Sequence, residues 1–163
     1  MIKTPYILSI VLFFPLLLIQ TTITPLIAIS DVLPDVIIIL LVYYSISEGQ
    51  IYGTVLGFIY GFLIDIITGT TLGSSMIAKT VAGFTAGYFS SENKREQNLI
   101  FYNFAMIVLL SALIDSVINA FFSSVNFTSS LFLIFFQYSL LPSIYTAFTS
   151  LVFMVFFRKR RAY

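Results

Sequence analysis

Four charged residues of this chain fall inside long apolar stretches, where charges are rare: Asp35, Asp65, Lys79 and Asp115. A charge in the interior of a bilayer costs roughly 2.5–3.5 kcal/mol, so such side chains pair with one another or serve a function. Three interpretations follow: structural pairs that fix helix register, a site for a ligand or partner, or an ion path. We favour structural pairing, because a lysine among carboxylates relieves part of the cost.

The composition excludes most enzyme chemistry. The chain has no His and no Cys, which removes His general bases, Ser-His-Asp triads, thiolate nucleophiles and the usual zinc ligands. An enzyme would have to rely on carboxylates or on a metal held by them, and the sequence contains no paired carboxylates of the DxxD type. We therefore expect a non-enzymatic protein with no catalytic residues, metal site or cofactor. The net charge of +1 gives no reason to expect nucleic acid as a partner.

The same composition places these residues in a membrane. Of the 163 residues, 59% are hydrophobic and 9% are charged, whereas a soluble domain carries about 25% charged residues. The mean hydropathy is +1.03. One span needs roughly 20 apolar residues, so six spans with short loops would occupy nearly the whole chain. The prediction is an all-α integral membrane protein whose residues 1–163 form a single polytopic transmembrane domain.

Six apolar segments are predicted to span the membrane: residues 5–27, 34–47, 51–68, 74–88, 99–122 and 131–157. The first also resembles a signal peptide, but it is long for one and has no A-x-A cleavage site. Pro34 is expected in the first turn of the second span, and Pro142 near the middle of the sixth.

The basic residues predict the orientation of the spans. Seven of the eight basic residues lie on one side of a six-span arrangement, before the first span, between the fourth and fifth, and after the sixth. The eighth is Lys79, inside the fourth span. Because cytoplasmic loops carry the excess of Lys and Arg, both termini are predicted to be cytoplasmic.

Small residues recur every fourth position in the third and fourth spans. The third span carries Gly53, Gly57, Gly61, Asp65 and Gly69, and the fourth carries Ser75, Lys79, Gly83 and Gly87. Residues four apart share one helix face, and small faces let membrane helices approach closely. We therefore expect these two faces to pack together, with Asp65 meeting Lys79 near the outer end of the pair.

Two further carboxylates are expected at the same depth. Asp115 lies in the outer half of the fifth span, on a polar face with Ser111 and Asn119, and Asp35 begins the second span. The four charged residues Asp35, Asp65, Lys79 and Asp115 are thus predicted to converge from four helices.

The segment from residue 34 to residue 73 resembles the rod shape-determining protein MreD family. The residues that carry the resemblance are Pro34, Asp35, Gly53, Gly57, Gly61, Asp65, Gly69 and Gly73, with Tyr43, Tyr44, Glu48, Gly49, Phe58 and Leu72 between them. The chain departs from the family in having Thr70 and Thr71 where a proline is common, and in lacking a basic residue near Glu48. Lys79 and Asp115 are not part of this motif.

The resemblance implies a membrane scaffold of the bacterial cell-wall elongation machinery, located in the cytoplasmic membrane as a multi-pass protein. The implied partner is MreC, a single-span protein. Through it the scaffold would link the MreB filament to the peptidoglycan synthases RodA and a class B penicillin-binding transpeptidase. The fold implied is similar to the substrate-binding subunit of energy-coupling-factor transporters. This similarity supports an alternative function, a small-molecule (vitamin-like) binding subunit of a membrane transporter.

Overall fold

The computed structural model describes residues 4–22, 26, 32–69, 71–91, 95–123 and 139–158. Seven α-helices lie within these ranges: α1 Thr4–Thr22, α2 Val36–Glu48, α3 Gln50–Thr68, α4 Ser74–Tyr88, the single-turn α5 Arg95–Asn98, α6 Phe101–Ser123 and α7 Leu141–Arg158. The part of the chain that the structure describes is therefore all-helical.

Two helical segments, Gln50–Thr68 and Tyr102–Phe122, are long and apolar enough to cross a membrane. Shorter apolar helical segments occupy Ile7–Thr22, Val36–Glu48 and Leu141–Met154. Residues 131–138 of the predicted sixth span, and most of the basic residues that predict the orientation, lie outside the described residues. The number of spans and the cytoplasmic termini therefore stay predictions.

The ends of the central helices follow from local sequence. Asp35 caps α2, and its carboxylate accepts the backbone N–H groups of Ile37 and Ile38 at 3.0 and 3.1 Å. Pro34 therefore precedes the cap instead of lying in the first helical turn as predicted. At the far end of α2, Gly49 has a φ of +106° and joins α2 directly to α3. A positive φ favours glycine over residues with a side chain.

Prolines occur in two other helices. Pro15 lies inside α1. Pro142 is the second residue of α7, after a π-helical turn at Ser139 and Leu140. Residues 131–138 lie outside the described residues, so the position of Pro142 near the middle of the sixth span stays a prediction.

Helices α3 and α4 form the closest helix pair. A Cβ atom built on Gly53 would lie 2.6 Å from the carbonyl oxygen of Gly83, and one on Gly57 would overlap the carbonyl group of Lys79. A Cβ on Gly61 would come within 2.5 Å of Met76 Cα. Backbone thus touches backbone along the whole pair, as expected where small residues line a membrane helix interface.

Helix α2 lies at the centre of the fold and is buried on all sides. One face packs with α4, α6 and α7 around Val42, Phe104 and Val108, and the opposite face packs with α1 and α3 around Leu41 and Tyr60. A helix that is apolar all round is typically buried. Helix α2 has 13 residues, and Asp35 directly precedes it as its N-cap.

Candidate functional site: a buried charge cluster

Lys79 joins three helices through its ammonium group. Its Nζ atom lies 2.5 Å from Asp35 Oδ2 at the start of α2. The same atom lies 3.3 Å from Asp115 Oδ2 and 3.4 Å from Oδ1 on α6. The side chain of Lys79 is 3% exposed and that of Asp115 6%, whereas that of Asp35 is 23% exposed. We call Asp35, Lys79 and Asp115 the charge cluster.

Each carboxylate of the charge cluster has a second source of stabilisation. Asp35 Oδ1 accepts two backbone N–H groups at the positive end of α2, where the helix dipole favours a negative charge. Asp115 Oδ2 accepts a hydrogen bond from Asn119 Nδ2 at 3.2 Å. One lysine can therefore serve two carboxylates, because the α2 N-terminus offsets part of the second negative charge.

The N-terminus of α2 is also held by α1 and α7. Ile37 N–H donates to Gln20 Oε1 on α1 at 3.1 Å. Asp35 N–H donates to Thr146 Oγ1 on α7 at 2.9 Å. Five helices thus meet around the charge cluster, which makes it a junction that fixes their relative positions.

Asp65 has a role different from the one that the spacing predicts. The predicted partner was Lys79, but the structure gives Lys79 its ion pairs with Asp35 and Asp115. The carboxylate of Asp65 accepts backbone N–H groups of Gly73, Ser75 and Met76 at 2.8, 3.2 and 3.4 Å. It therefore caps the N-terminus of α4 from the neighbouring helix α3. The physical reason is the short α3–α4 turn, which brings three amides at the start of α4 to Asp65 in the last turn of α3.

The remaining predicted motif residues shape the helices that carry the charge cluster. Gly53, Gly57 and Gly61 lie in the α3–α4 contact. Gly69 and Gly73 border the turn with φ values of +66° and +104°, and a Cβ at either position would meet nothing within 4 Å. Backbone conformation, not space, favours glycine at these two turn positions.

The predicted site did not include a row of polar side chains on α7 and in the turn just before it. Ser139, Ser143, Thr146 and Ser150 are each at most 1% exposed. Their 4-3-4 spacing, which was visible in the sequence, places all four on one helix face. Thr146 binds the backbone of Asp35, and Ser143 Oγ lies 3.4 Å from Ser116 Oγ on α6. The buried hydroxyls of Ser111 and Ser139 have no hydrogen-bond partner in the described part of the chain.

The charge cluster offers little for catalysis. Its two carboxylates are bound to Lys79 and to amides of the same chain, so neither is poised as a free acid or base. Among the described residues, no three acidic side chains are grouped so that they could hold a metal ion.

The described residues form an all-helical protein, with internal polar contacts between its helices and two helices long and apolar enough to cross a membrane. A scan against protein-family models matches the rod shape-determining protein MreD over residues 1–160. The chain belongs to the MreD family. This membership supports a membrane location and a role in rod-shape determination. Neither the curated proteins nor the solved structures contain a match to the chain, so the similarity to energy-coupling-factor subunits stays a prediction.

Proposed function

We propose that this protein is a non-enzymatic scaffold of the cell-wall elongation machinery in the bacterial cytoplasmic membrane. In this role it binds MreC within the bilayer, and through MreC it links the MreB filament to RodA and a class B penicillin-binding transpeptidase. The family match over residues 1–160 supports the role in cell shape. The main structural support for the proposal is that the charged groups of the cluster are bound by other groups of the same chain.

An internally satisfied cluster suits a scaffold better than a binding protein. Lys79, Asp35 and Asp115 bind one another, and Asp65 binds the α4 amides. A ligand would have to displace these bonds and leave a buried charge without its partner, which is strongly unfavourable. A scaffold needs a stable helix bundle, and these bonds between helices support one.

Co-purification tests the scaffold. The tagged full-length protein is isolated from native membranes in mild detergent, and the bound proteins are identified by mass spectrometry. We expect MreC to be enriched over an unrelated tagged membrane protein of similar size. Absence of MreC from the purified material in several detergents would overturn the proposed partnership.

Small-molecule binding remains the second candidate, because the buried hydroxyls of Ser111 and Ser139 lack partners among the described residues. A bound small molecule would satisfy such groups. Thermal-shift measurements with a panel of vitamins separate the two functions. The scaffold predicts no change in melting temperature, whereas a saturable, concentration-dependent increase with one compound would favour the transporter subunit.

A further inference from the structure

Helix α1 has two faces of opposite character. Its inner face packs on α3: Tyr60 donates to the backbone carbonyl of Ser9 at 2.7 Å, and the ring of Phe13 stacks on that of Tyr60 with centroids 4.7 Å apart. Its outer face exposes large apolar side chains at a spacing of four, three and four residues. These are Ile7, Val11, Phe14 and Leu18, each 48–65% exposed.

The outer face of α1 also carries a backbone acceptor without its usual donor. Pro15 lies inside the helix and has no N–H, so the regular i to i−4 hydrogen bond to the carbonyl of Val11 cannot form. Val11 and Pro15 are both exposed. In an α-helix a carbonyl group points toward the residue four positions further on, so the Val11 carbonyl belongs to this outward face. Hydrogen bonds from other helices join α1 at Ser9 and at Gln20.

The position of this carbonyl makes it costly to leave free. Val11 and Pro15 lie near the middle of the 19-residue helix. In the predicted first span, residues 5–27, this position corresponds to the hydrocarbon interior of the bilayer. Lipid tails cannot donate a hydrogen bond, and an unsatisfied backbone group in the hydrocarbon costs several kcal/mol. Proline is tolerated in membrane helices where a neighbouring helix or a hydroxyl side chain supplies the missing donor.

From these observations we infer that the outer face of α1 is the docking surface for a partner's membrane-spanning helix, which donates a Ser or Thr hydroxyl to the carbonyl of Val11. The apolar spacing of Ile7, Val11, Phe14 and Leu18 matches the 3.5-residue repeat of two packed helices. The free acceptor at the centre of this face fixes the register of the partner. This inference rests on the proposed function only in taking MreC as the partner that supplies the helix.

Cysteine crosslinking maps the surface, and the chain has no native Cys. Single cysteines replace Val11, Phe14 or Leu18 in the full-length protein, which is co-expressed with full-length MreC carrying single cysteines along its membrane helix. Leu12 and Leu16 serve as matched controls, because they pack partly against the core. Crosslinks at Val11, Phe14 and Leu18, with few at Leu12 and Leu16, are expected.

The variant Pro15→Ala tests the hydrogen bond itself. Alanine restores the N–H, so the carbonyl of Val11 is satisfied within α1 and no longer needs the partner. We expect the yield of co-purified MreC to fall roughly three- to tenfold, the effect of one interhelical hydrogen bond in a membrane. The melting temperature of the variant alone should stay the same or rise. Replacing the crosslinked Ser or Thr of MreC by Ala should lower the yield equally, without adding to the effect of Pro15→Ala.

Each contrary result has a distinct meaning. Three results would overturn this docking surface but not the scaffold. They are crosslinks only between two copies of this chain, equal crosslinking at Leu12 and Leu16, and no crosslinks on α1 while MreC still co-purifies. Unchanged co-purification of Pro15→Ala would overturn the hydrogen bond. Failure of MreC to co-purify with the wild-type protein would contradict the scaffold itself.

Discussion

Lys79 binds two carboxylates from different helices, so its removal leaves two buried negative charges without their cation. Lys79→Met should therefore be strongly destabilising, because stranding a buried charge costs roughly 3–5 kcal/mol. The double variant Lys79→Met/Asp115→Asn should recover part of this loss, since Asp35 keeps the two amides of α2. Thermal unfolding in detergent measures both. If the losses of stability from Lys79→Met and Asp115→Asn simply add in the double variant, Lys79 and Asp115 do not interact.

Asp65 acts as a cap, and a cap needs an acceptor more than a charge. Asp65→Asn keeps one carbonyl oxygen, which at the Oδ2 position can still accept the amides of Gly73 and Met76, whereas Asp65→Ala removes every acceptor. We expect Asp65→Ala to lower the free energy of unfolding by about 0.5–2 kcal/mol, the usual effect of losing a helix cap, and Asp65→Asn by less. The same unfolding assay measures the difference. Equal losses from the two variants would mean that charge, not capping, is the role of Asp65.

The α3–α4 pair depends on the absence of side chains at its contact. A Cβ on Gly57 would overlap the carbonyl of Lys79, and the backbone of α4 cannot rotate away as a side chain could. Gly57→Ala should cost about 1–3 kcal/mol by overpacking, and Gly57→Leu more. On the same helix, Phe58→Leu is the control, because Phe58 is 48% exposed. Folded yield in size-exclusion chromatography reports the effect, and an unchanged yield for Gly57→Leu would contradict the close contact.

Spacing along the chain predicts which faces of α3 and α4 can meet, because the four-residue repeat of Gly53, Gly57 and Gly61 defines a face without side chains. Spacing does not predict which polar group a residue on that face binds by a hydrogen bond or an ion pair. The sequence predicts that Asp35, Lys79 and Asp115 meet, but it also pairs Asp65 with Lys79, whereas Asp65 binds the α4 amides that the turn brings to it. The choice of Asp65 depends on the geometry of the turn, which residue spacing does not give. The 4-3-4 spacing of the Ser and Thr residues in and just before α7 is visible in the sequence. The many phenylalanines around them make the segment read as a uniformly apolar span, so the polar face was not predicted.

The orientation of the whole molecule can be tested by reporter fusions. Seven of the eight basic residues are predicted on the cytoplasmic side. Fusions after Gly49, Lys94 and Tyr163 should report the cytoplasm, and fusions near Thr70 and Ser124 the outside. An alkaline phosphatase and a fluorescent-protein reporter give opposite signals at each point. An outside location for Tyr163 would overturn the predicted arrangement of six spans.

We propose that this MreD-family chain maintains rod shape as a scaffold, without a reaction of its own. The most direct measurement is the length-to-width ratio of cells in which the protein is depleted in its own host and then restored from a plasmid. We expect depleted cells to become round and the plasmid-borne wild type to restore rods. Cells that keep their rod shape after complete depletion would contradict the account.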